Sequence, residues 1–268
     1  MSLPLRPVAY VLAATSHGTM IVNRNDHAEI PQGSYGVGHQ LLTNSAFDPQ
    51  EVGFVLDLLD LRRSLFGPGV FTIDAGANIG VHTIEWARHM HGWGHVLSFE
   101  AQEPVFYALA GNIALNNCWN ATARWCALGE REGFINVPEP DYLRSGSFGS
   151  LELRQRSETE FIGQQVSYEA EDCVRTPMVN IDSFGFARVD FMKIDVEGME
   201  IDVLRGARET LQRCKPIVLA ETIKSDVQEM VGLLEGLGYD VVSKGLGVNL
   251  LALHRTDPTR QQIRITRG

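Results

Sequence analysis

Apolar positions along the chain fall into short runs that alternate with stretches of helical spacing. The clearest change of period lies in "GVFTIDAGANIGVHTIEWAR", Gly69 to Arg88. Val70, Phe71 and Ile73 suit a short buried strand that runs into Asp74. Gly76 and Gly80 permit a tight turn and close backbone approach. From Val81 onward, Ile84, Trp86 and Ala87 keep the spacing of a helix packed on a sheet. A strand, a glycine-bearing turn and a helix make the first half of a nucleotide-binding βαβ unit.

The alternation continues downstream. "GHVLSFEA" predicts a strand from Val96 to Phe99 that ends at Glu100. "PVFYALAGNIALNN" predicts a helix started by Pro104, lined by Phe106, Leu109, Ile113 and Leu115, and closed by Asn116 and Asn117. "ATARWCALG" reads as a third strand and "GFINVPE" as an additional one. "VDFMKIDVEG" contains a strand from Phe191 to Asp195. "EIDVLRGARETLQRC" predicts one helix with Ile201, Leu204 and Leu211 inward. "IVLAE" is a strand ending at Glu221, and "SDVQEMVGLLEGLG" a helix capped by Ser225 and ended by Gly238. "YDVVS" and "NLLALH" are strands joined through "KGLG" as a hairpin. Upstream, "DPQEVGFVLDLLDLRRSLF" predicts a helix with Asp48 as cap, Pro49 in the first position and Glu51 three residues after the cap. Val52, Val55, Leu56, Leu59 and Phe66 line it. The sum is an α/β, doubly wound, mainly parallel seven-stranded sheet with helices on both faces, its one antiparallel strand coming from the C-terminal hairpin.

Two segments stand outside this alternation. Residues 1–45 read as an N-terminal extension in which "GTMIVNR" forms a strand of a small hairpin over the main fold, leaving 46–268 as the domain proper. Residues 141–172 are polar and without period, an insertion or loop of a length that is often functional. Both segments are expected to shape an acceptor pocket.

Composition narrows the setting. With 268 residues, 44% hydrophobic, and a net charge of −10, the chain suits one large acidic domain, and no basic nucleic-acid surface is expected. Cys118, Cys126, Cys173 and Cys214 lie far apart with no CxxC pair, which predicts free thiols in a reducing compartment. The opening "MSLPLRPVAYVLAATSHG" is too short and interrupted for a membrane span, and Arg6 with Ala13 and Ala14 only faintly imitates a signal peptide. A cytoplasmic location is expected.

The candidate chemistry sits where the strands end. In an open α/β sheet, ligands lie beyond the carboxyl ends of the strands, where strand order reverses. Asp74, Glu100, Asp195 and Glu221 each finish an apolar strand. Glu100, one βαβ step after the turn, is placed to accept hydrogen bonds from a ribose diol, which suits NAD and S-adenosylmethionine equally. The turn discriminates: "DAGANIG" has Asn78 where a dinucleotide fingerprint has its middle glycine. It fits an amino-acid-bearing cofactor, whose ammonium a carboxylate anchors and whose carboxylate the N–H groups at the helix start hold.

These residues carry a family likeness. "TIDAGANIGVHT", "LSFEAQEP", "NIALNN" and "VDFMKIDVEGMEIDVLRGA", followed by "IVLAE" and "NLLALH", resemble the FkbM family of S-adenosylmethionine-dependent methyltransferases over roughly residues 45–255. Two departures are visible: Ala75 stands where the family more often has Val, and the proline usual after Glu100 is displaced to Pro104. Residues 141–172 match nothing in the family pattern. The resemblance implies a Rossmann-like class I methyltransferase fold, S-adenosyl-L-methionine as cofactor, and O-methylation of a sugar or other small-molecule hydroxyl. It implies cofactor contacts from Asp74, Ala75, Gly76, Ala77, Asn78, Gly80, Glu100, Ala101 and Asp195.

Acceptor chemistry is expected in "KIDVEG". An alcohol needs a base near the methyl group, and Asp195 and Glu197 are the candidates. Lys193 shares a strand face with Asp195; it steadies a developing alkoxide, orients a carboxylate, or simply pairs with a neighbouring acid. Glu197 alternatively caps the next helix, and Glu200 suits that helix's first turn. Glu221 is a further acceptor-side candidate, and His82 either faces the site or packs. Asp195, Glu197 and Glu221 offer hard oxygen ligands, but their spacing does not require a metal and none is expected. An NAD-dependent oxidoreductase, and a methyltransferase acting on a peptide or lipid-linked glycan, are the alternatives.

Overall fold

The computed structural model describes residues 7–30, 33–242 and 247–262. Arg6 and residues 243–246, which join the last two predicted strands, lie outside the described residues. In chain order the elements are a hairpin of β1 (Tyr10–Thr15) and β2 (Gly18–Asn23), a short pair β3 (Ala28–Ile30) and β4 (Gly33–Tyr35), α1 (Val37–Asn44), α2 (Pro49–Phe66), β5 (Val70–Ala75), α3 (Val81–His89), β6 (Gly94–Glu100), α4 (Glu103–Leu115), β7 (Ala121–Trp125), β8 (Ala127–Leu128) and β9 (Gly133–Pro138). There follow β10 (Cys173–Val179), β11 (Phe191–Ile194), α5 (Glu200–Gly206), α6 (Arg208–Cys214), β12 (Ile217–Glu221), α7 (Val227–Gly236), β13 (Tyr239–Val242) and β14 (Asn249–His254).

The main sheet has seven strands in the order β13-β14-β12-β11-β5-β6-β7. β14 runs antiparallel to both neighbours, and the pairs from β12 through β7 are parallel. This is the doubly wound α/β arrangement that the alternation predicts. Strand order reverses between β5 and β11, so the ligand crevice of such a sheet falls at their carboxyl ends.

β11 shows how four residues serve two cores. Phe191 packs with Val55, Ile84 and Trp86 on one face, while Met192 and Ile194 pack with Val203, Leu204 and Leu234 on the other. The period of two puts Lys193 on the face of Phe191. Near-continuous apolar strands are required here because both faces are covered.

Several local expectations change. The predicted helix over Glu200–Cys214 breaks at Ala207 into α5 and α6. A Cβ on Gly206 would stand 2.1 Å from the carbonyl oxygen of Gly129, so α5 lies against neighbouring backbone at this point. The third strand divides at Cys126, and β8 leaves the main sheet to join β10 and β9. β10 lacked a sequence signal because Arg175 and Pro177 interrupt its apolar run. The inward face of α4 is Val105, Ala108, Leu109 and Asn112, whereas Leu115 is exposed. On α2 the exposed Phe66 lies under the Arg62 guanidinium, 4.1 Å from its centroid. Asp48 precedes α2 with φ 37° and makes no side-chain cap. Asp226, not Ser225, caps α7 by accepting from Gln228 N and Glu229 N. Gly238 does follow its end, with φ 90°.

The two unaligned segments meet. β2 packs on α4, where Asn112 accepts from Ile21 N at 2.5 Å and donates to Ile79 O at 2.7 Å. The buried Asp26 carboxylate accepts from Gly38 N at 2.8 Å and from Phe148 N at 3.0 Å. Asn23 and Asn25 both donate to Tyr142 O. The 141–172 segment is irregular, yet Phe148, Leu151, Leu153 and Ile162 are buried. It forms, with residues 23–29 and 33–38, one interlocked cap.

Two glycines test the packing argument. Gly206→Ala should cost about 2 kcal/mol, as overpacking against backbone does. Gly232→Ala, in α7 with open space around its Cβ, should stabilise by about 0.5–1 kcal/mol. Urea unfolding of both variants checks this; equal effects would refute it.

Candidate active site

The cleft at the β5–β11 switch holds about 240 Å³. Its floor is the turn after β5. Gly76 has φ 82°, and a Cβ there would stand 1.6 Å from the carbonyl oxygen of Asp195, so two strand ends cross in contact. The turn's N–H groups are engaged within the protein. Gly76 N and Ala77 N donate to Phe99 O at 3.0 and 2.9 Å. Asn78 N donates to Glu100 Oε2 at 2.9 Å, Ile79 N to Asn78 Oδ1 at 2.7 Å, and Gly80 N to Ala77 O at 2.9 Å. No run of amides is left there to cradle a pyrophosphate; those available for an anion are the ones that open α3.

Glu100, buried at the end of β6, accepts from Asn78 N and, through Oε1, from Gln102 N at 2.8 Å. A carboxylate has about four acceptor positions, so capacity remains on the cleft side. Burial pushes its carboxyl up to about 7, against the pull of the Gln102, Asn78 and Ala101 N–H groups. Beside it runs an apolar slot of Phe99, Ala101, Cys126, Ala127, Leu128, Leu151, Leu153 and Val196.

Charge gathers around Lys193, Asp195, Glu197 and Glu221. Lys193 Nζ donates to Asp195 Oδ2 at 2.6 Å, so the predicted pairing with a neighbouring acid is present. Burial works against the charged form of Lys193, but Asp195, Glu51 and Asp74 together hold its pKa above the usual lysine range. Glu197, with φ 54°, pairs with Lys224 Nζ at 2.5 Å. Burial, then Asp195, raise the Glu197 carboxyl well above the ordinary range against Lys224. Burial and Asp195 likewise push Glu221 up to about 8, with Lys193 opposing. Glu200 accepts from Val196 N at 3.1 Å and Gly198 N at 3.2 Å through Oε1, while Ser225 donates to its Oε2. It therefore supports the loop rather than only the helix start.

The cleft brings together Gly76, Ala77, Asn78, Glu100, Ala101, Lys193, Asp195, Glu197, Glu221 and His82. Asp74, Ala75 and Gly80 lie off its lining. Asp74 is buried and accepts from Thr83 Oγ1 at 2.6 Å. Asp195, Glu197 and Glu221 offer oxygen atoms within 4.8 Å of one another, the trio among the described residues that could hold a cation; two of the three already face an ammonium group.

Comparison with known proteins adds identity. The pattern of the Methyltransferase FkbM domain matches residues 74–241. The chain belongs to the FkbM methyltransferase family. It is 29% identical over 193 residues to methyltransferase sdnD of Sordaria araneosa, covering 64% of this chain and 74% of that protein. It is 26% identical over 215 residues to the 31-O-demethyl-FK506 methyltransferase FkbM of Streptomyces tacrolimicus, covering 70% and 82%. A solved FkbM methyltransferase from Methylobacillus flagellatus overlays with TM-score 0.47 at 16% identity, covering 69% of this chain and 44% of that one. Among the described residues of this methyltransferase, no helix is long and apolar enough to cross a membrane.

Several residues of the cleft are not named by sequence reasoning. Tyr35, Val37, Gln40 and Phe47 wall the cleft from the N-terminal segment, and Lys224 pairs with Glu197 from the loop after β12. Glu51, expected beside the cap of α2, faces His82 Nε2 at 3.2 Å and accepts from Asn249 Nδ2 at 2.6 Å. A signal existed only for Lys224, three residues beyond Glu221 in "ETIK".

Glu221 gives a pH test. Its folded pKa lies above the ordinary 4.5, so the stability it contributes is full below about pH 4.5 and is lost as pH rises through about 8. Glu221→Gln should therefore gain stability relative to the parent between pH 5 and pH 9 in urea unfolding with a chelator present. A flat difference across that range would contradict the burial argument.

Proposed function

We propose that this methyltransferase uses S-adenosyl-L-methionine to methylate a hydroxyl oxygen of a small molecule, a sugar or a natural-product alcohol. The observation that carries the cofactor reading is Glu100, with acceptor capacity left, beside an apolar slot in the same cleft. Glu100 would hold the ribose hydroxyls, Ala101, Leu128, Leu151 and Leu153 the adenine, and the N–H groups opening α3 the amino-acid carboxylate. When bound, the cofactor supplies an electrophilic methyl carbon on a sulfonium.

The remaining work falls to the chain. Asp195 and Glu197 both line the cleft, and we assign one of them as the base that takes the acceptor proton. A carboxyl raised by burial is the stronger base once ionised. Lys193 fixes the Asp195 carboxylate and offsets charge on a developing alkoxide, and Glu221 orients the acceptor. Holding the acceptor oxygen in line is the larger share of the rate effect. The cap supports a small acceptor, because the cleft lies beneath Tyr35, Val37 and Ser150. The engaged amides of the turn count against the dinucleotide alternative.

Titration calorimetry should show saturable binding of S-adenosylhomocysteine and none of NAD. Glu100→Ala should weaken that binding at least tenfold, as loss of hydrogen bonds to a charged group does. Tight NAD binding with no S-adenosylhomocysteine binding would reverse the assignment.

The acceptor follows from a labelled-methyl screen against hydroxylated small molecules. With the acceptor so found, Asp195→Asn or Glu197→Gln should lower kcat about 100-fold or more. Unchanged turnover in both variants would remove these residues from the chemistry.

A further inference from the structure

Lys224 lies in the loop after β12 and is buried, with 8% of its surface exposed. Its ammonium donates to Glu197 Oε2 at 2.5 Å and to Ser150 O at 2.7 Å, and forms an ion pair with Glu160 Oε2 at 2.9 Å. The acceptors come from the catalytic loop after β11 and from two points of the 141–172 segment. The other oxygen of Glu160 accepts from Tyr35 Oη at 3.0 Å, which adds the N-terminal segment. Arg156 closes the back of the cluster by donating to Lys224 O at 2.5 Å.

Glu197, Ser150 and Tyr35 all line the cleft, so one buried cation fixes three of its walls from behind. Glu197 also holds a left-handed backbone, which costs about 1–3 kcal/mol and persists only where surrounding contacts over-determine it. Truncating one partner of a buried charge pair is costly because the other charge is left uncompensated; here the Glu197 carboxylate would be left.

We propose that Lys224 is a positioning residue that clamps the cap onto the catalytic loop, acting through Glu197, Ser150 and Glu160 to enclose the cofactor. This rests on the S-adenosylmethionine reading of the cleft. A clamp acts on escape from the closed state, so its loss shows in dissociation more than in association. A residue needed only for overall stability would reduce the competent fraction and leave the dissociation rate of bound ligand alone.

Stopped-flow binding of S-adenosylhomocysteine to the full chain tests this. Lys224→Met should raise the dissociation rate at least tenfold with the association rate changed less than threefold. Lys224→Arg, which keeps the charge and the donors, should return dissociation to within threefold of the parent. Amide hydrogen exchange over residues 146–162 should rise in Lys224→Met and not in Lys224→Arg, with or without ligand. Unchanged dissociation and exchange in Lys224→Met, or an arginine variant as leaky as the methionine one, overturns the clamp. The exchange measurement needs no ligand: a parent that binds no S-adenosylhomocysteine but shows raised exchange in Lys224→Met supports the clamp and overturns only the cofactor reading.

Discussion

The structure turns on the crossing of Gly76 over the Asp195 carbonyl. The ends of β5 and β11 approach so closely there that no side chain fits between them. This contact joins the floor of the cleft to the loop after β11 at the point where strand order reverses. The residues on either side inherit fixed positions: Asn78 turns its N–H to Glu100, and Asp195 turns its carboxylate to Lys193.

Bringing those strand ends together also concentrates acids. Asp195, Glu197 and Glu221 lie near one another, and like charges in a poorly solvated place disfavour ionisation. The fold answers with two buried lysines on opposite sides. Lys193 comes up from the sheet face shared with α2, and Lys224 comes down from the loop after β12. Asp195 and Glu197 are thereby each held in a defined place. The same lysines tie the acids to the sheet on one side and to the cap on the other.

The cap is a second consequence of charge and amide pairing rather than of apolar burial alone. Asp26 collects amides from α1 and from Phe148 across more than a hundred residues of sequence. The N-terminal segment and the 141–172 segment thereby hold each other.

The sequence by itself determined the seven-strand α/β alternation, the turn at Gly76, and the acids at the strand ends, because these follow from periods of two and 3.6 and from glycine's conformational freedom. The acids of "KIDVEG" were legible as a cluster since neighbours in sequence stay neighbours at a strand end. Only the tertiary structure decided that Asp74 is buried against Thr83 while Glu100 faces the cleft, that Glu51 faces His82, and that Lys224, Glu160 and Tyr35 meet. Those pairings join segments with no common period, and a charged side chain carries no mark of its distant partner until the backbone has brought the two within hydrogen-bonding reach.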